Sequence, residues 1–576
     1  MEKINRMLKK YSWMFFLFCI GNIGYAADIP ESIAYTRIYD FLDELANDGI
    51  IELVSVVKPY SREFIAEKLE KASLQEEHLN KRQRKELDFF LNNYALERDR
   101  LPDTRATLAR NDKLTFALIQ PAFYYRDDIF RTRIMPILGG NIIVNDKGNV
   151  IKRWFGGDFQ AMITPYISIY GNLRDISMNG ELLSQPQYLN DYPGYQYKES
   201  ASGGDYSNSK GGISISNSWG SVSFEKENPE WGDNYHGSNI FSGRAPSFPM
   251  LKLHLKPVKW FQLDYFHGWL VSNVADSTNY FMEEYREGEF RKHYRMANKF
   301  IAANMLTFTP VRNLNLSVGN ATIYSEPNAK AAYFIPVAFY KSLDHTLTKG
   351  TGTENGNSAL FINISSRNIR HLHLYTSIFM DEIKFGRFKS SNKENNPVSF
   401  KIGGNLTNFP LQNVSLIAEF TRSNIINYKH SVSAITWASN SYNLGHYLGD
   451  NSQEIYVAIR YKPIRGLDLN LSFMDAKHGN DYNYIRRIVA TVISQPVLKD
   501  ITWTNQTLSF KAQYEIFNNV YAGLNIQYSN IRGHDVKSET IPGENRLDAQ
   551  GYLDKFTPPF LQGKTLTCDM LLTIGF

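Results

Sequence analysis

One turn recurs along this chain and limits what it can fold into. Leu255-Lys256-Pro257-Val258-Lys259-Trp260-Phe261 is its first clear instance, followed by Phe308-Thr309-Pro310-Val311-Arg312-Asn313-Leu314 and Tyr461-Lys462-Pro463-Ile464-Arg465-Gly466-Leu467. Proline ends one strand, a β-branched and a basic residue make the turn, and an alternating strand leaves. Looser versions stand at Arg367 to Arg370, Pro410 to Asn413, Phe517 to Asn519 and Ser218 to Ser221. The turns recur at intervals of roughly 40 to 55 residues, far more than two strands of about ten residues need. A long loop therefore lies opposite each turn. Short turns at one rim and long loops at the other are the pattern of an outer-membrane barrel.

The strands beside the turns each have one apolar face. Ile455, Val457, Ile459 and Tyr461 alternate, as do Leu467, Leu469, Leu471 and Phe473. The last strand carries Leu566, Cys568, Met570, Leu572, Ile574 and Phe576 on one side, and Thr567, Asp569, Leu571, Thr573 and Gly575 on the other. Lipid on one side and a wet lumen on the other suits this alternation. Taken alone, the last strand also fits a soluble sandwich. In a barrel it runs from the long-loop side down to the periplasm and closes against the strand near Leu114. Phe576 is then the expected recognition end for the barrel assembly machinery.

Composition agrees with strands rather than apolar helices. Charged residues make up 21% of the 576 residues, and mean hydropathy is −0.36. Past the N-terminus there is no apolar run of the ~18 residues a membrane helix needs. The 35 Tyr and 36 Phe suit aromatic girdles and also sugar-stacking surfaces. A net charge of +5 is small for this length and gives no reason to expect nucleic acid. Residues 1–26 read as a secretory signal: basic Lys3, Arg6, Lys9 and Lys10, an apolar stretch from Trp13 to Ile20, and a cleavage site at Gly24-Tyr25-Ala26. After cleavage only Cys568 remains, so no internal disulfide is expected. Residues 27–110 read as a small, highly charged, water-exposed helical bundle. Gly49 is a plausible C′ residue, and Ser61 caps the second helix. The barrel is assigned to residues 111–576.

The segment Glu225-Lys226-Glu227-Asn228-Pro229-Glu230-Trp231-Gly232-Asp233-Asn234-Tyr235-His236-Gly237 continues to Ser242-Gly243-Arg244-Ala245-Pro246-Ser247-Phe248-Pro249, and a strand then leads to His267-Gly268-Trp269. With Tyr39-Asp40-Phe41-Leu42-Asp43 and Lys58-Pro59-Tyr60-Ser61-Arg62, this resembles the Wzi-type capsule assembly family over nearly the whole mature chain. The helix, Gly49-Ile50-Ile51 and Pro59-Tyr60-Ser61-Arg62 also resemble the S-layer-homology type of module. The Wzi resemblance implies an all-β transmembrane barrel of eighteen strands, with helices at the periplasmic side and a blocked lumen. Counting two strands per turn, with Asn145 to Asn149 as an early turn, also gives about eighteen antiparallel strands. The resemblance further implies a surface lectin that binds exported capsular polysaccharide and helps hold it on the cell. Its expected partners are that polysaccharide, outer-membrane lipid and lipopolysaccharide, with the protein itself a monomer.

Sugars are held by aromatic faces and by polar side chains, and acidic sugars add Arg or Lys contacts. The candidate glycan-binding residues are Trp231, Tyr235, Tyr285, Arg286, Arg291, Tyr294 and Arg295. The basic-aromatic run from Tyr285 to Arg295 carries most weight, because charge cannot face lipid cheaply. Trp231 sits between Asn228-Pro229 and Gly232 in a tight loop, where it either stacks on sugar or plugs the barrel. Further aromatics stand at Trp437, Tyr442 and Tyr447, and at Tyr482, Tyr484 and Trp503 near Arg486 and Arg487. An enzyme is not expected: no G-x-S-x-G or HExxH occurs, and Glu225 and Glu227 read as lumen-facing charges. His371 and His373 fall on one strand face with no third ligand marked, so no metal or other cofactor is expected. The rival reading is a porin or transporter of small solutes or oligosaccharides, which the barrel alone does not exclude.

Overall fold

A computed structural model describes residues 28–104, 106–119, 121–180, 198–200, 203–347, 356–381 and 396–575. Residues 1–26, read from the sequence as a secretory signal, and Phe576 lie outside the described residues. Eighteen antiparallel strands close into one barrel. In chain order they are β1 (Arg131–Asn145), β2 (Gly148–Met162), β3 (Ile167–Gly180), β4 (Gly203–Asn217), β5 (Gly220–Glu227), β6 (Phe248–Val258), β7 (Phe261–Arg286), β8 (Glu289–Val311) and β9 (Leu314–Tyr324). The second half runs through β10 (Gly356–Ser366), β11 (Leu372–Met380), β12 (Val398–Thr407), β13 (Val414–Ser423), β14 (Ser452–Tyr461), β15 (Leu467–Gly479), β16 (Ile501–Phe517), β17 (Val520–Gly533) and β18 (Gly563–Ile574). Each strand pairs with its chain neighbours, and β18 returns to β1. Among the described residues no helix is long and apolar enough to cross a membrane.

The alternation read from the sequence sorts outside from inside. In β14, Ile455, Val457, Ile459 and Tyr461 are exposed on the outer wall, while Glu454, Tyr456 and Ala458 are buried inside. In β18, Leu566, Met570 and Leu572 face out, and Thr565, Thr567 and Thr573 face in. The recurring turns close the short rim. Pro257 and Pro310 sit where the register shifts, between Leu255 and Val258 and between Phe308 and Val311, so their missing N–H groups interrupt no ladder bond. Asn313 takes φ of 63°, a left-handed conformation that Asn tolerates better than most residues.

Two readings of topology need correction. The turn at Asn145 lies on the long-loop rim: Val144 pairs with Cys568 and Leu138 with Ile574, so β1 runs upward as β18 runs down. The remaining short-rim turn is Thr164 to Tyr166, where the Thr164 hydroxyl accepts hydrogen bonds from the N–H groups of Tyr166 (3.2 Å) and Ile167 (3.0 Å). The closing partner of the last strand is β1, not the strand near Leu114. Leu114–Ala117 belongs to a short antiparallel extension with Thr107–Arg110 and Ala122–Arg126. That extension pairs with Arg131 to Ile134 below the seam, leaving Leu138 to Val144 free for β18.

Three helices sit at the short rim: α1 (Thr36–Asn47), α2 (Arg62–Ser73) and α3 (Lys81–Asn93). Helix α1 ends in a Schellman motif, with Gly49 at φ of 77°, its N–H bonded to Ala46 O, and the Ile50 N–H bonded to Leu45 O. The Ser61 hydroxyl caps α2 through the Phe64 N–H, and Asn80 with Gln83 forms a capping box on α3. Phe41, Leu42, Leu45, Ile65, Leu69, Leu87 and Phe90 make the shared core, which also takes in Tyr521 of the barrel. The helices are not a water-exposed bundle. Arg37 pairs with Glu86 and Glu515, Arg62 with Glu31 and Glu97, and Arg82 with Glu44, all buried. Their charge density reflects a face docked on the polar barrel mouth. Asp40 meets Arg460, Asp43 meets Arg367, Glu44 meets Lys462 and Asp48 meets His371.

Candidate functional site

The lumen is filled by two segments entering from opposite rims. Val57–Lys58, between α1 and α2, pairs with Glu230–Trp231 of the loop after β5, which pairs in turn with Phe241–Ser242. This small sheet stands inside the barrel. Trp231 is only 3% exposed and meets the rings of Phe266 at 5.1 Å, Phe241 at 5.3 Å and Phe361 at 6.2 Å, all edge-on. Gly232 turns the chain behind it at φ of 99°. The Asn239 side-chain amide donates to the carbonyls of Ser377 (3.2 Å) and Ser399 (3.0 Å), tying the loop to β11 and β12. Of the two roles open to Trp231, the packing places it in the plug.

Tyr235 also lies in the lumen. Its hydroxyl bonds the Asp43 carboxylate and stands 2.9 Å from His373 Nδ1. It borders an internal cavity of about 300 Å³ between α1 and the inward loop, whose lining includes Asp40, Lys58, Arg460, Asp468 and Lys511. The neighbouring latch joins helix to barrel. The Arg367 guanidinium donates to Asn47 Oδ1 (2.9 Å), Ser55 Oγ (3.1 Å) and Asp43. Burial alone would raise the Asp43 carboxyl, but Arg367, His373, the Tyr235 hydroxyl and Lys58 together outweigh it and hold it down at about 2. Glu44 is likewise pushed up by burial and pulled further down, to about 2, by Arg82 and Lys462.

These depressed carboxyls set a pH window for the plug. Each contributes stability that is fully present above its unfolded value of about 4 and is lost as pH falls from there through 2. Amide protection factors in α1, each taken against the intrinsic exchange rate at the same pH, should therefore be high at pH 7 and roughly tenfold lower or more at pH 3, with the barrel strands still protected. Equal α1 protection at both values would contradict the latch.

The other sequence-read residues stand far from the plug. β7 leaves its wall neighbour after Gly268 and β8 leaves its own before Phe300; Asn273 still donates to Asn440 and Ser441 of the loop after β13, and beyond it the two strands continue as a lone hairpin to Glu287-Gly288. At about 3.3 Å per residue the arm rises on the order of 40 Å above the wall. Tyr285, Arg286, Arg291, Tyr294 and Arg295 are all exposed on it. Tyr280 pairs with Tyr294 and Met282 with Lys292 on one face, where Lys292 Nζ lies 3.7 Å from the Tyr280 ring centroid and 4.8 Å from that of Tyr294. The opposite face carries Tyr285, Arg291 and Arg295 by alternation, with Phe281 stacked on His293 at 5.4 Å. The sequence therefore marked two separate places, the plug and the arm.

The remaining candidates mostly hold loops together. Trp437, Tyr447, Tyr482 and Trp503 are buried, and the Trp503 indole donates to Thr557 Oγ1 at 2.8 Å. Tyr442 and Tyr484 are half-buried. Glu225 and Glu227 face the lumen, where Lys252 (3.2 Å) and Lys210 (2.9 Å) pair with them. His371, at φ of 71°, belongs to the turn before β11 and bonds Asp48, whereas His373 points inward at Ser365. Among the described residues no three His, Cys, Asp or Glu side chains gather as metal ligands. The pairing of Val57–Lys58 with the inward loop had no sequence signal, because two-residue strands carry no periodicity.

A family described as capsule assembly protein Wzi matches residues 189–542. Among solved structures the fold is similar to Wzi of Escherichia coli, an outer membrane protein involved in group 1 capsule assembly and described as a carbohydrate-binding β-barrel. The TM-score is 0.54 at 12% identity, covering 96% of this chain and 99% of that one. OccD3 (OpdP) of Pseudomonas aeruginosa gives a TM-score of 0.40 at 9% identity, covering 77% of this chain and 91% of that one. No curated protein matches the sequence. The lipid-facing belt and the family match together make this an outer-membrane β-barrel. With more than half of its length matched, the chain belongs to the Wzi capsule assembly family.

Proposed function

We propose that the protein binds the cell's capsular or other surface polysaccharide at its outer face and anchors it there, and that the arm of β7 and β8 is its main contact. The arm carries this reading. It lifts aromatic and cationic side chains clear of the membrane, where they pack only on one another across the hairpin and stay open to solvent. A Trp or Tyr buried in a loop has an obvious structural task; Tyr280, Tyr285 and Phe290 are half exposed or more, and Tyr294 is 45% exposed. Glu283, Glu284, Glu287 and Glu289 balance Arg286, Arg291, Lys292 and Arg295 along the arm. Contact thus rests on ring stacking and charge-assisted hydrogen bonds rather than on net charge. The carbohydrate binding described for the Escherichia coli relative supports the same ligand class.

The filled lumen favours anchoring over transport, since a plug tied to both rims leaves the wall intact and the passage occupied. Deleting the gene should leave polymer synthesis intact and release the polymer into the medium. Retention of a normal cell-surface layer by the deletion strain would overturn the proposal.

A further inference from the structure

The loop after β9 doubles back over the outside of the barrel, through Ala331–Phe334 and a short helix, α4 (Tyr340–Leu347). Its floor is the outer face of β7, β8 and β9: Tyr265, Phe300, Ala302 and Tyr324 share a core with Tyr333 and Tyr340 of the loop. These wall residues face out, because the residues that alternate with them, Phe266, Ile301 and Ile323, pack with Trp231 in the lumen.

The loop reaches down to the level of the lipid-facing belt. Along β9 the outer face is first bare and then covered: Leu316 and Val318 are exposed, whereas Asn320 is 8% exposed and Thr322 and Tyr324 are fully buried. Asn320 stands six residues up from Leu314 at the short rim. At about 3.3 Å per residue and a tilt of about 40°, that is roughly 15 Å up an apolar band about 25 Å tall. Phe334 stacks on His267 at 4.2 Å. His267 is level, through Leu251, with Phe224, which stays exposed on the bare wall beside the loop. We propose that residues 331–339 lie in the outer leaflet, with their exposed side chains against the hydrocarbon chains of its lipid.

The segment Ala331-Ala332-Tyr333-Phe334-Ile335-Pro336-Val337-Ala338-Phe339 carries no charge, and Ile335, Val337 and Phe339 are its exposed large side chains. Lipid offers no hydrogen-bond partner, so irregular backbone at that depth must find its partners in protein. The wall supplies them. The Tyr265 hydroxyl donates to Tyr333 O (3.0 Å), the Asn304 and Asn320 amides donate to Ala338 O (2.9 and 3.1 Å), and Asn320 Oδ1 accepts the Tyr340 N–H (2.9 Å). Within the loop the Tyr340 hydroxyl donates to Ile335 O (3.2 Å), and Pro336 has no N–H to satisfy. The need runs both ways, since an outward asparagine pair amid lipid is costly unless it is bonded. A loop held in water above the membrane would need neither arrangement. The loop also grips β8 where that strand leaves the wall: the Asn298 amide donates to Pro327 O (2.9 Å) and the Ser325 hydroxyl to Asn298 O (2.6 Å). The root of the arm is thereby tied to a segment seated in the bilayer.

A nitroxide label at Val337→Cys tests this in full-length protein reconstituted into palmitoyl-oleoyl-phosphatidylcholine bilayers, with Cys19→Ala and Cys568→Ala removing the native thiols. Val337 is 63% exposed, so the label displaces no packing. Labels at Val457→Cys on the outer wall and Met282→Cys on the arm are the references for lipid and water. Oxygen dissolves in hydrocarbon, while a neutral nickel chelate stays in water. The ratio of collision rates with the two at Val337 should match that at Val457 and exceed that at Met282 roughly tenfold, since a polar complex must shed its water to enter lipid. Phe339→Cys should behave in the same way. A ratio at Val337 equal to that at Met282 would place the segment in water and overturn the proposal. Slow collisions with both reagents would mean that protein, such as a second copy of the chain, covers Val337, and would overturn it as well.

Discussion

Arg367→Met is expected to release α1 from the barrel mouth. Arg367 is 3% exposed and ties Asn47, Ser55 and Asp43 to the turn between β10 and β11. Methionine keeps most of the volume but leaves Asp43 a buried charge without its partner. Removing one member of a buried pair costs about 3–5 kcal/mol. The barrel ladders do not depend on this group, so the loss falls on the plug. Amide exchange in α1 should accelerate by roughly two to three orders of magnitude, while the strands stay protected. In planar bilayers the wild type should pass no steady current and the variant should flicker open. Asp43→Asn added to Arg367→Met should recover much of the protection, because no uncompensated charge then remains. Unchanged exchange and a silent bilayer for Arg367→Met would mean that Arg367 does not hold the plug.

The second large effect concerns the arm. Replacing residues 274–295 with Asn-Gly should leave a barrel that folds and inserts normally, since Asn-Gly forms a tight hairpin turn and the removed pairs touch no wall strand. Polysaccharide binding by that variant should fall at least tenfold, a loss of about 1.4 kcal/mol or more. Arg286→Ala, Arg291→Ala and Arg295→Ala together should weaken binding to an acidic polymer by less, because the aromatic contacts remain. Full binding without the arm would move the main contact to the other outer loops.

How much of this was legible in the sequence depended on the physical cause of each feature. The barrel was legible because a lipid-facing strand must alternate: Ile455, Val457 and Ile459 announce their side. The turns were legible because Pro257, Pro310 and Asn313 answer a backbone demand. What failed was whatever a local pattern does not encode. Asn145 to Asn149 reads as a turn on either rim, and only the pairing of Leu138 with Ile574 fixes which. The charged helices read as wet, since Asp40, Asp43, Glu44 and Asp48 find their partners more than 300 residues away. Trp231 fitted two roles because a rigid loop serves a plug as well as a sugar. Its burial beside Phe241 and Phe266 comes from folding the whole barrel.

An outer-membrane barrel with a filled lumen is expected to work by holding polysaccharide at its outer face. The most direct test is saturable binding of the purified, nanodisc-embedded protein to polysaccharide from the source strain, measured by biolayer interferometry. The expected result is saturable binding that competing fragments of the same polymer displace and that the arm-less variant loses for the most part. No binding above empty nanodiscs across the accessible polymer concentrations would contradict it.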